Sequence, residues 1–198
     1  MPKKLFSKAF TLPLVCHPDS LAPAVRRIKT RAVRNLQGDL ALRFRLSGDL
    51  GRLQVPPITC VKRADGLWQH TCFEAFVAFS GRTDYLEFNF SPSGQWAAYA
   101  FSDYRQRAQT LDPAGAPKIR IDRNTGGLTL EALLSADALP LAMRWQPLYL
   151  GLSAVVEDRE GRLSYWALRH LAGTPTPKAD FHQRATFNLV LPAPKILR

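Results

Sequence analysis

The feature that most constrains this fold is a stretch of alternating apolar and polar residues between positions 67 and 105. In YLEFNF (85–90), a leucine and two phenylalanines occupy one parity, while Glu87 and Asn89 occupy the other. A period of two is typical of a β-strand with one buried face, whereas a helix would scatter these apolar side chains around its cylinder. In the preceding segment CFEAFVAF (72–79), the odd positions read Phe, Ala, Val and Phe, while Glu74 and Phe76 share the even face with Trp68 and His70. The stretch therefore predicts neighbouring β-strands.

A turn signal follows YLEFNF directly, in the tetrapeptide Ser-Pro-Ser-Gly. Serine favours the first position of a type I turn, proline the second, and glycine a position with positive φ. A three-residue loop that ends in a left-handed glycine pairs Ser91 with Gln95. That register places Glu87 opposite Tyr99 on the polar face and Trp96 on the apolar face. A two-residue loop would move Trp96 to the polar face, and we favour the longer loop.

Short strand-like segments recur along the rest of the chain. They lie at residues 9–16, 26–33, 40–46, 117–133, 148–170 and 185–191. We interpret 9–16 as an edge strand, because Pro13 would leave a gap in a central ladder, and 106–117 as a loop. About eleven short strands without a long helix predict an all-β fold, an antiparallel β-sandwich of jelly-roll or immunoglobulin-like type. The length suits one domain over residues 1–198.

WQHTCFEAFV followed by YLEFNFSPSGQW resembles the DOMON-like superfamily and, within it, the family-9 carbohydrate-binding modules. The matching positions are Trp68, Glu74, Phe76, Tyr85, Glu87, Phe88, Phe90, Pro92 and Gly94. Thr71 stands where the modules usually carry an acid, and Leu128 and Ser135 replace a tryptophan and a proline in a later segment. The resemblance implies a β-sandwich with a ligand-binding role, commonly for sugar or haem. It also implies that Trp68 stacks on the ligand.

Aromatic residues beside carboxylate and amide groups are what sugar recognition requires. An aromatic ring packs against the apolar face of a pyranose, while polar side chains bind its hydroxyl groups. We therefore predict a non-catalytic module for a carbohydrate or a similar small polar ligand, lined or supported by Trp68, His70, Glu74, Glu87 and Asn89. Residue type alone adds Tyr104, Arg105, Trp166 and His170. Any single tryptophan could instead belong to the core, because aromatics dominate sandwich interiors.

Two alternative functions stay open. His70, His170 and His182 could bind a metal ion or haem, although no pair of them has ligand spacing on a helix. Glu74 and Glu87 lie on successive predicted strands and could form the carboxylate pair of a glycoside-acting enzyme. The sequence contains no nucleophile elbow, Walker loop, dinucleotide fingerprint or zinc-protease motif. We therefore favour binding over catalysis and expect no cofactor.

Charge suggests a further partner. The chain has 27 basic and 16 acidic residues, a formal net charge of +11 and a pI near 10.1. If strands 26–33 and 40–46 form a hairpin, five basic side chains project from one outer face: Arg27, Lys29, Arg31, Arg43 and Arg45. Like charges opposite each other are destabilising, so this basic face either has carboxylate neighbours or weakly binds an anionic partner.

Cysteine content bears on location. The chain has three cysteines, an odd number, and they lack the close pairs of a zinc site. We therefore expect Cys16, Cys60 and Cys72 to be free thiols. The amino-terminal segment imitates a signal peptide, but Lys8 interrupts its apolar body and no small-residue cleavage site follows. No apolar run approaches the ~18 residues of a membrane span. We therefore expect a cytoplasmic rather than a secreted or periplasmic protein.

Overall fold

A computed structural model describes residues 10–110, 115–171 and 179–194, without the side chains of residues 109 and 110. In these ranges the chain forms twelve strands, one single-turn α-helix and four 3-10 turns. The strands are β1 (Phe10–Cys16), β2 (Val25–Arg34), β3 (Leu40–Gly48), β4 (Cys72–Phe79), β5 (Tyr85–Phe90), β6 (Trp96–Asp103), β7 (Gln106–Thr110), β8 (Lys118–Asn124), β9 (Gly127–Leu134), β10 (Leu148–Glu157), β11 (Leu163–Ala167) and β12 (Leu189–Leu191). The helix is α1 (Leu141–Arg144), and the 3-10 turns are Leu50–Arg52, Leu67–Gln69, Ala136–Ala138 and Arg184–Thr186.

The strands form two sheets that share β1. Sheet I has the order β1-β2-β3-β9-β8, and sheet II has the order β7-β6-β5-β4-β10-β11-β1, with β12 added to β10. All pairings between these strands are antiparallel. The prediction of an all-β, antiparallel sandwich is therefore confirmed.

The inner faces of the two sheets pack on each other and form the main core. Phe44 of sheet I stacks on Phe73 of sheet II with ring centroids 5.1 Å apart. Phe88, Phe90 and Trp96 lie in the same buried cluster. The predicted apolar parity is confirmed, and stacked aromatic pairs of this kind add about 0.5–1.5 kcal/mol to the burial of their area.

The turn between β5 and β6 follows the three-residue prediction. The Ser91 amide donates to the Gln95 carbonyl at 2.9 Å, and Gly94 has φ of 94°. Glu87 consequently lies opposite Tyr99. Turn chemistry therefore fixed the register of this hairpin, as a one-residue slip would have inverted both faces.

Sheet II is unusual in that its outer face is also largely buried. A second apolar cluster includes Phe76, Tyr85 and Tyr99 from the strands and Phe187 from the segment before β12. Gly151 of β10 makes room for Phe187, because an added Cβ would lie 2.8 Å from the Phe187 ring. The chain segments that cover this face leave a cleft, described below.

Three sequence-based element assignments differ from the structure. Residues 106–110 form β7 rather than loop, and the closing strand is shortened to Leu189–Leu191 after a 3-10 turn. β1 has partners on both sides, but Pro13 pairs with Lys29 of β2 before the pairing with β11 begins at Val15. The ladder with β11 thus begins two residues beyond the proline, which has no N–H to donate.

In the described ranges, no helix is long and apolar enough to cross a membrane. The three cysteines are free thiols, with Cys72 buried and Cys60 exposed.

Candidate functional site

A cleft of about 640 Å³ opens on the outer face of sheet II. Its floor comes from β4 and β5, and its walls come from the turn before β4, the β6–β7 hairpin, β11 and the segment before β12. The lining residues are Trp68, Gln69, Glu74, Phe76, Glu87, Phe101, Arg105, Arg107, Val155, Leu163, Tyr165, Ala179, Phe181 and His182.

Two buried glutamates form the polar part of the floor. Glu74 of β4 lies opposite Asn89 of β5. Glu87 stands two residues before Asn89 on β5, so the two carboxyl groups are diagonal neighbours on one face. Glu74 is 3% exposed and Glu87 is 6% exposed. The Ser153 hydroxyl donates to Glu74 Oε2 at 3.0 Å, and Asn89 Nδ2 donates to Glu87 Oε1 at 2.7 Å.

Burial makes these carboxyls hold their protons more tightly. Desolvation, with a further contribution from Glu87, raises the pKa of Glu74 to about 8. Desolvation also raises the pKa of Glu87, although Asn89 and the nearby Arg107 oppose that shift. A protonated carboxyl both donates and accepts hydrogen bonds. Near neutral pH the floor therefore offers both kinds of partner to a ligand.

Trp68 forms the aromatic rim of the cleft. It lies on the 3-10 turn Leu67–Gln69 rather than on a strand, and it is 38% exposed. Its indole meets the Tyr99 ring edge-to-face at 5.8 Å, and the Tyr99 hydroxyl donates to Asp65 Oδ1 at 2.6 Å. One edge of the indole is thereby fixed while part of its surface stays accessible to a ligand.

The β6–β7 hairpin supplies two arginines. Arg105 has φ of 54°, the only positive value among the described non-glycine residues. Its amide donates to the Tyr85 hydroxyl at 3.1 Å, and its guanidinium pairs with Asp180 at 3.0 Å. The Arg107 guanidinium lies 3.8 Å from the centroid of the Tyr99 ring, which is a close cation–π contact.

His182, from the segment before β12, forms another part of the wall. The Tyr85 hydroxyl lies 2.8 Å from His182 Nδ1, and His182 Nε2 lies 3.8 Å from Glu87 Oε2. Burial and the positive Arg105 lower the pKa of His182 to about 4, and burial raises the pKa of Tyr85 to about 12. Both groups are neutral near pH 7. The Tyr85 hydroxyl therefore accepts from the Arg105 amide and shares a second hydrogen bond with His182 Nδ1.

No known protein family and no curated protein matches this sequence. Among solved structures, the chain is similar to a proposed carbohydrate-binding protein from Bacteroides uniformis ATCC 8492. The TM-score is 0.67 at 15% identity, over 90% of this chain and 84% of that one. The likeness is one of fold.

The chain is also similar to family-9 carbohydrate-binding modules from Caldicellulosiruptor kristjanssonii. One, in complex with cellotriose, aligns with a TM-score of 0.48 at 12% identity, over 89% of this chain and 80% of that one. Another, in complex with glucose, aligns with a TM-score of 0.44 at 12% identity, over 81% and 76%.

The structure brings most of the predicted site residues together. Trp68, Glu74, Glu87 and Arg105 line the cleft. Asn89 supports Glu87 from within the sheet, and its Oδ1 accepts no hydrogen bond from the described residues. Tyr104 acts at the rim, where its hydroxyl donates to Asp180 Oδ2 at 2.5 Å.

Three predicted residues lie elsewhere. Trp166 belongs to the core between the sheets, where its Nε1 donates to Ser164 Oγ at 3.1 Å. His170 contacts the Val15 carbonyl at 2.9 Å. His70 is exposed outside the cleft lining and pairs with Glu157 at 2.8 Å. These positions explain why His70, His170 and His182 do not converge.

A metal centre finds no support in the described ranges. There, no group of three or more histidine, cysteine, aspartate or glutamate side chains is placed to hold an ion.

Sequence reasoning missed Arg107, Tyr165 and Phe181. Tyr165 is the neighbour of Trp166 and points to the opposite face of β11. Arg107 fell in the segment interpreted as a loop. No local signal marked it, because QRAQT has no apolar alternation.

Proposed function

We propose that this chain is a non-catalytic module that binds a carbohydrate or similar small polar ligand in the cleft on sheet II. The observation that carries the proposal is the partly exposed Trp68 beside the buried, hydrogen-bonding Glu74 and Glu87. A sugar ring would pack against the indole while its hydroxyl groups bind the carboxyls. The cleft volume of about 640 Å³ falls in the range of about 300–1,000 Å³ in which proteins bind small ligands.

We also propose that the chain is related to the family-9 carbohydrate-binding modules. The residues that line the cleft include Trp68, Glu74 and Glu87, which are matching positions in the resemblance to family-9 modules of the DOMON-like superfamily. The likeness in fold to the Bacteroides protein, which is described as carbohydrate-binding, supports the sugar-binding role but names no family.

A thermal-shift screen followed by calorimetry tests the proposal. We expect a mono- or disaccharide to raise the Tm by about 2–5 °C. Trp68→Ala should weaken that ligand at least tenfold, because it removes the stacking surface. Trp145→Ala is the matched control, since Trp145 is also exposed but lies outside the cleft lining.

Two outcomes would contradict the proposal. If no sugar shifts the Tm, or if both tryptophan variants bind equally well, the cleft is not a sugar site. If the protein instead hydrolyses a glycoside, and Glu74→Gln abolishes that activity, a glycoside-acting enzyme is favoured.

We propose, as a second role, that the outer face of sheet I binds an anionic partner. The register places Arg31 directly opposite Arg43 and Lys29 directly opposite Arg45, and all four are exposed. Glu131 pairs with Arg43 across β3 and β9. Repulsion within this face is thus only partly compensated, and an anion would relieve it.

A cytoplasmic location is likewise a proposal. It rests on the free thiols of Cys16, Cys60 and Cys72, of which Cys60 is exposed and would be open to oxidation outside a reducing compartment. Alkylation of Cys60 in intact and lysed cells would test it.

A further inference from the structure

Arg107 forms no close salt bridge in the described part of the chain, although its charge acts on the carboxyl group of Glu87. Its guanidinium stacks over the buried Tyr99, which Asp65 holds in place. None of the salt bridges between described residues involves it. Stacking uses the face of the guanidinium, and N–H donors remain in its plane. Arg107 is therefore positioned on a rigid support with donors available to a ligand.

Arg105 adds a second positive group from the same hairpin. Its left-handed conformation is strained for a residue with a side chain, so the surroundings must hold it. Tyr85 binds its amide, and Asp180 binds one side of its guanidinium. A guanidinium has five N–H groups, so one carboxylate leaves donors for a further anion.

The acids that line the cleft do not cancel these charges fully. Glu74 and Glu87 are adjacent and buried, and Glu74 forms no salt bridge with any described residue. Two neighbouring carboxyls in apolar surroundings resist simultaneous ionisation. The raised pKa of Glu74, at about 8, agrees with this geometry. Near neutral pH the described lining therefore carries two arginines and fewer than two negative charges, and because Asp180 pairs with Arg105, the excess positive charge lies mainly on Arg107.

From this arrangement we propose that the ligand of the cleft is an acidic sugar, with its ring against Trp68 and an anionic group on Arg107 and Arg105. The anionic group is a carboxylate, as in a uronic acid, or a phosphate. Both present planar or forked oxygens that a guanidinium binds through two hydrogen bonds. The inference rests on the proposed function and names the class of sugar.

Calorimetry at pH 7 and low salt, with four probes, tests it. The probes are glucose, glucuronic acid, glucose 6-phosphate and inorganic phosphate. We expect at least one acidic sugar to bind tenfold or more tightly than glucose. Glucuronic acid and glucose 6-phosphate distinguish a carboxylate from a phosphate ligand.

Variants then locate the effect. Arg107→Gln should reduce the advantage of the acidic sugar to about threefold or less, and Arg107→Lys should restore only part of it, because lysine lacks the forked donors. Arg120→Gln is the matched control, since Arg120 is exposed on sheet I and distant in the fold from the cleft lining.

The outcomes separate the two proposals. Glucose binding as tightly as both acidic sugars would overturn this inference and leave the proposed function standing. Inorganic phosphate binding as tightly as glucose 6-phosphate would also overturn it, because the sugar would then contribute nothing. The inference would also be overturned if the Arg107→Gln variant still bound the acidic sugar at least tenfold more tightly than glucose. If no sugar binds, both proposals fall.

Discussion

Glu74 shows how one residue can link the stability of this protein to pH. Burial and the neighbouring Glu87 raise its pKa from 4.5 to about 8 in the folded state. Between those pH values the folded state keeps a proton that the unfolded state releases. The free energy of unfolding therefore falls as pH rises through this window, and the stabilisation present below the lower value is lost above the upper one.

We expect Glu74→Gln to remove this dependence, because an amide does not ionise. At about pH 9 the free energy of unfolding of the variant should exceed that of the wild type by on the order of a few kcal/mol, and at about pH 4 the two should be similar. Urea denaturation at both pH values measures the difference. Glu131→Gln, on an exposed face beside Arg43, serves as the control. A variant with the wild-type slope would show that Glu74 ionises normally in the fold.

For individual residues, the type of side chain predicted only part of the candidate site. Trp68, Glu74 and Glu87 were identifiable because they stand at matching positions of a recognisable pattern. Tyr165 and Trp166 are both aromatic and adjacent, and successive side chains on a strand point to opposite faces. Nothing local decides which of the two faces the cleft. That choice depends on the strands that flank β11.

Among the elements, hairpins were the most predictable. The register between β5 and β6 depends on Ser91, Gly94 and the alternation around them, all within a few residues. The strand β7 was missed because QRAQT has no apolar alternation. Its strand geometry comes from pairing with β6, which no local pattern encodes.

The pairing of β3 with β9 depends on a glycine. A Cβ on Gly127 would lie 2.1 Å from the backbone oxygen of Leu46, which cannot move without breaking the ladder. We expect Gly127→Ala to lower the free energy of unfolding by at least about 2 kcal/mol. Gly126→Ala is the control, because its Cβ would meet only the Asn124 side chain at 3.4 Å. Equal effects in urea denaturation would contradict the steric argument.

The β2–β3 hairpin carries the basic face, and its proposed role has a direct test. We expect the wild type to be retained on heparin and on DNA at low salt, with retention falling as salt rises. Arg43→Glu/Arg45→Glu should elute earlier, because it reverses two charges at the centre of the face. Arg159→Glu/Arg162→Glu changes the net charge equally on the β10–β11 turn. If both double variants elute together, net charge rather than this face causes the retention.

At the scale of the whole molecule, the cleft is assembled from distant parts of the chain. Its lining runs from Trp68 to His182. Strand patterns located its floor, but the segment around Phe181 and His182 has no periodicity. The packing of Phe187 beside Gly151, the contact of His182 with Tyr85 and the pairing of Asp180 with Arg105 bring that segment to the sheet. The sequence therefore predicted the surface on which a ligand could rest better than the walls around it.

The membership of β1 in both sheets has a consequence for the order in which the protein can be completed during synthesis. Leu14 can pair with Ile28 soon after both are made, so sheet I can begin early. Cys16 must wait for Trp166, 150 residues later, before the same strand can close the second sheet. His182 follows later still. A nascent chain can thus form β1, β2 and β3 early and complete sheet I once β8 and β9 are made, while the cleft becomes able to bind a ligand only after His182 has been added.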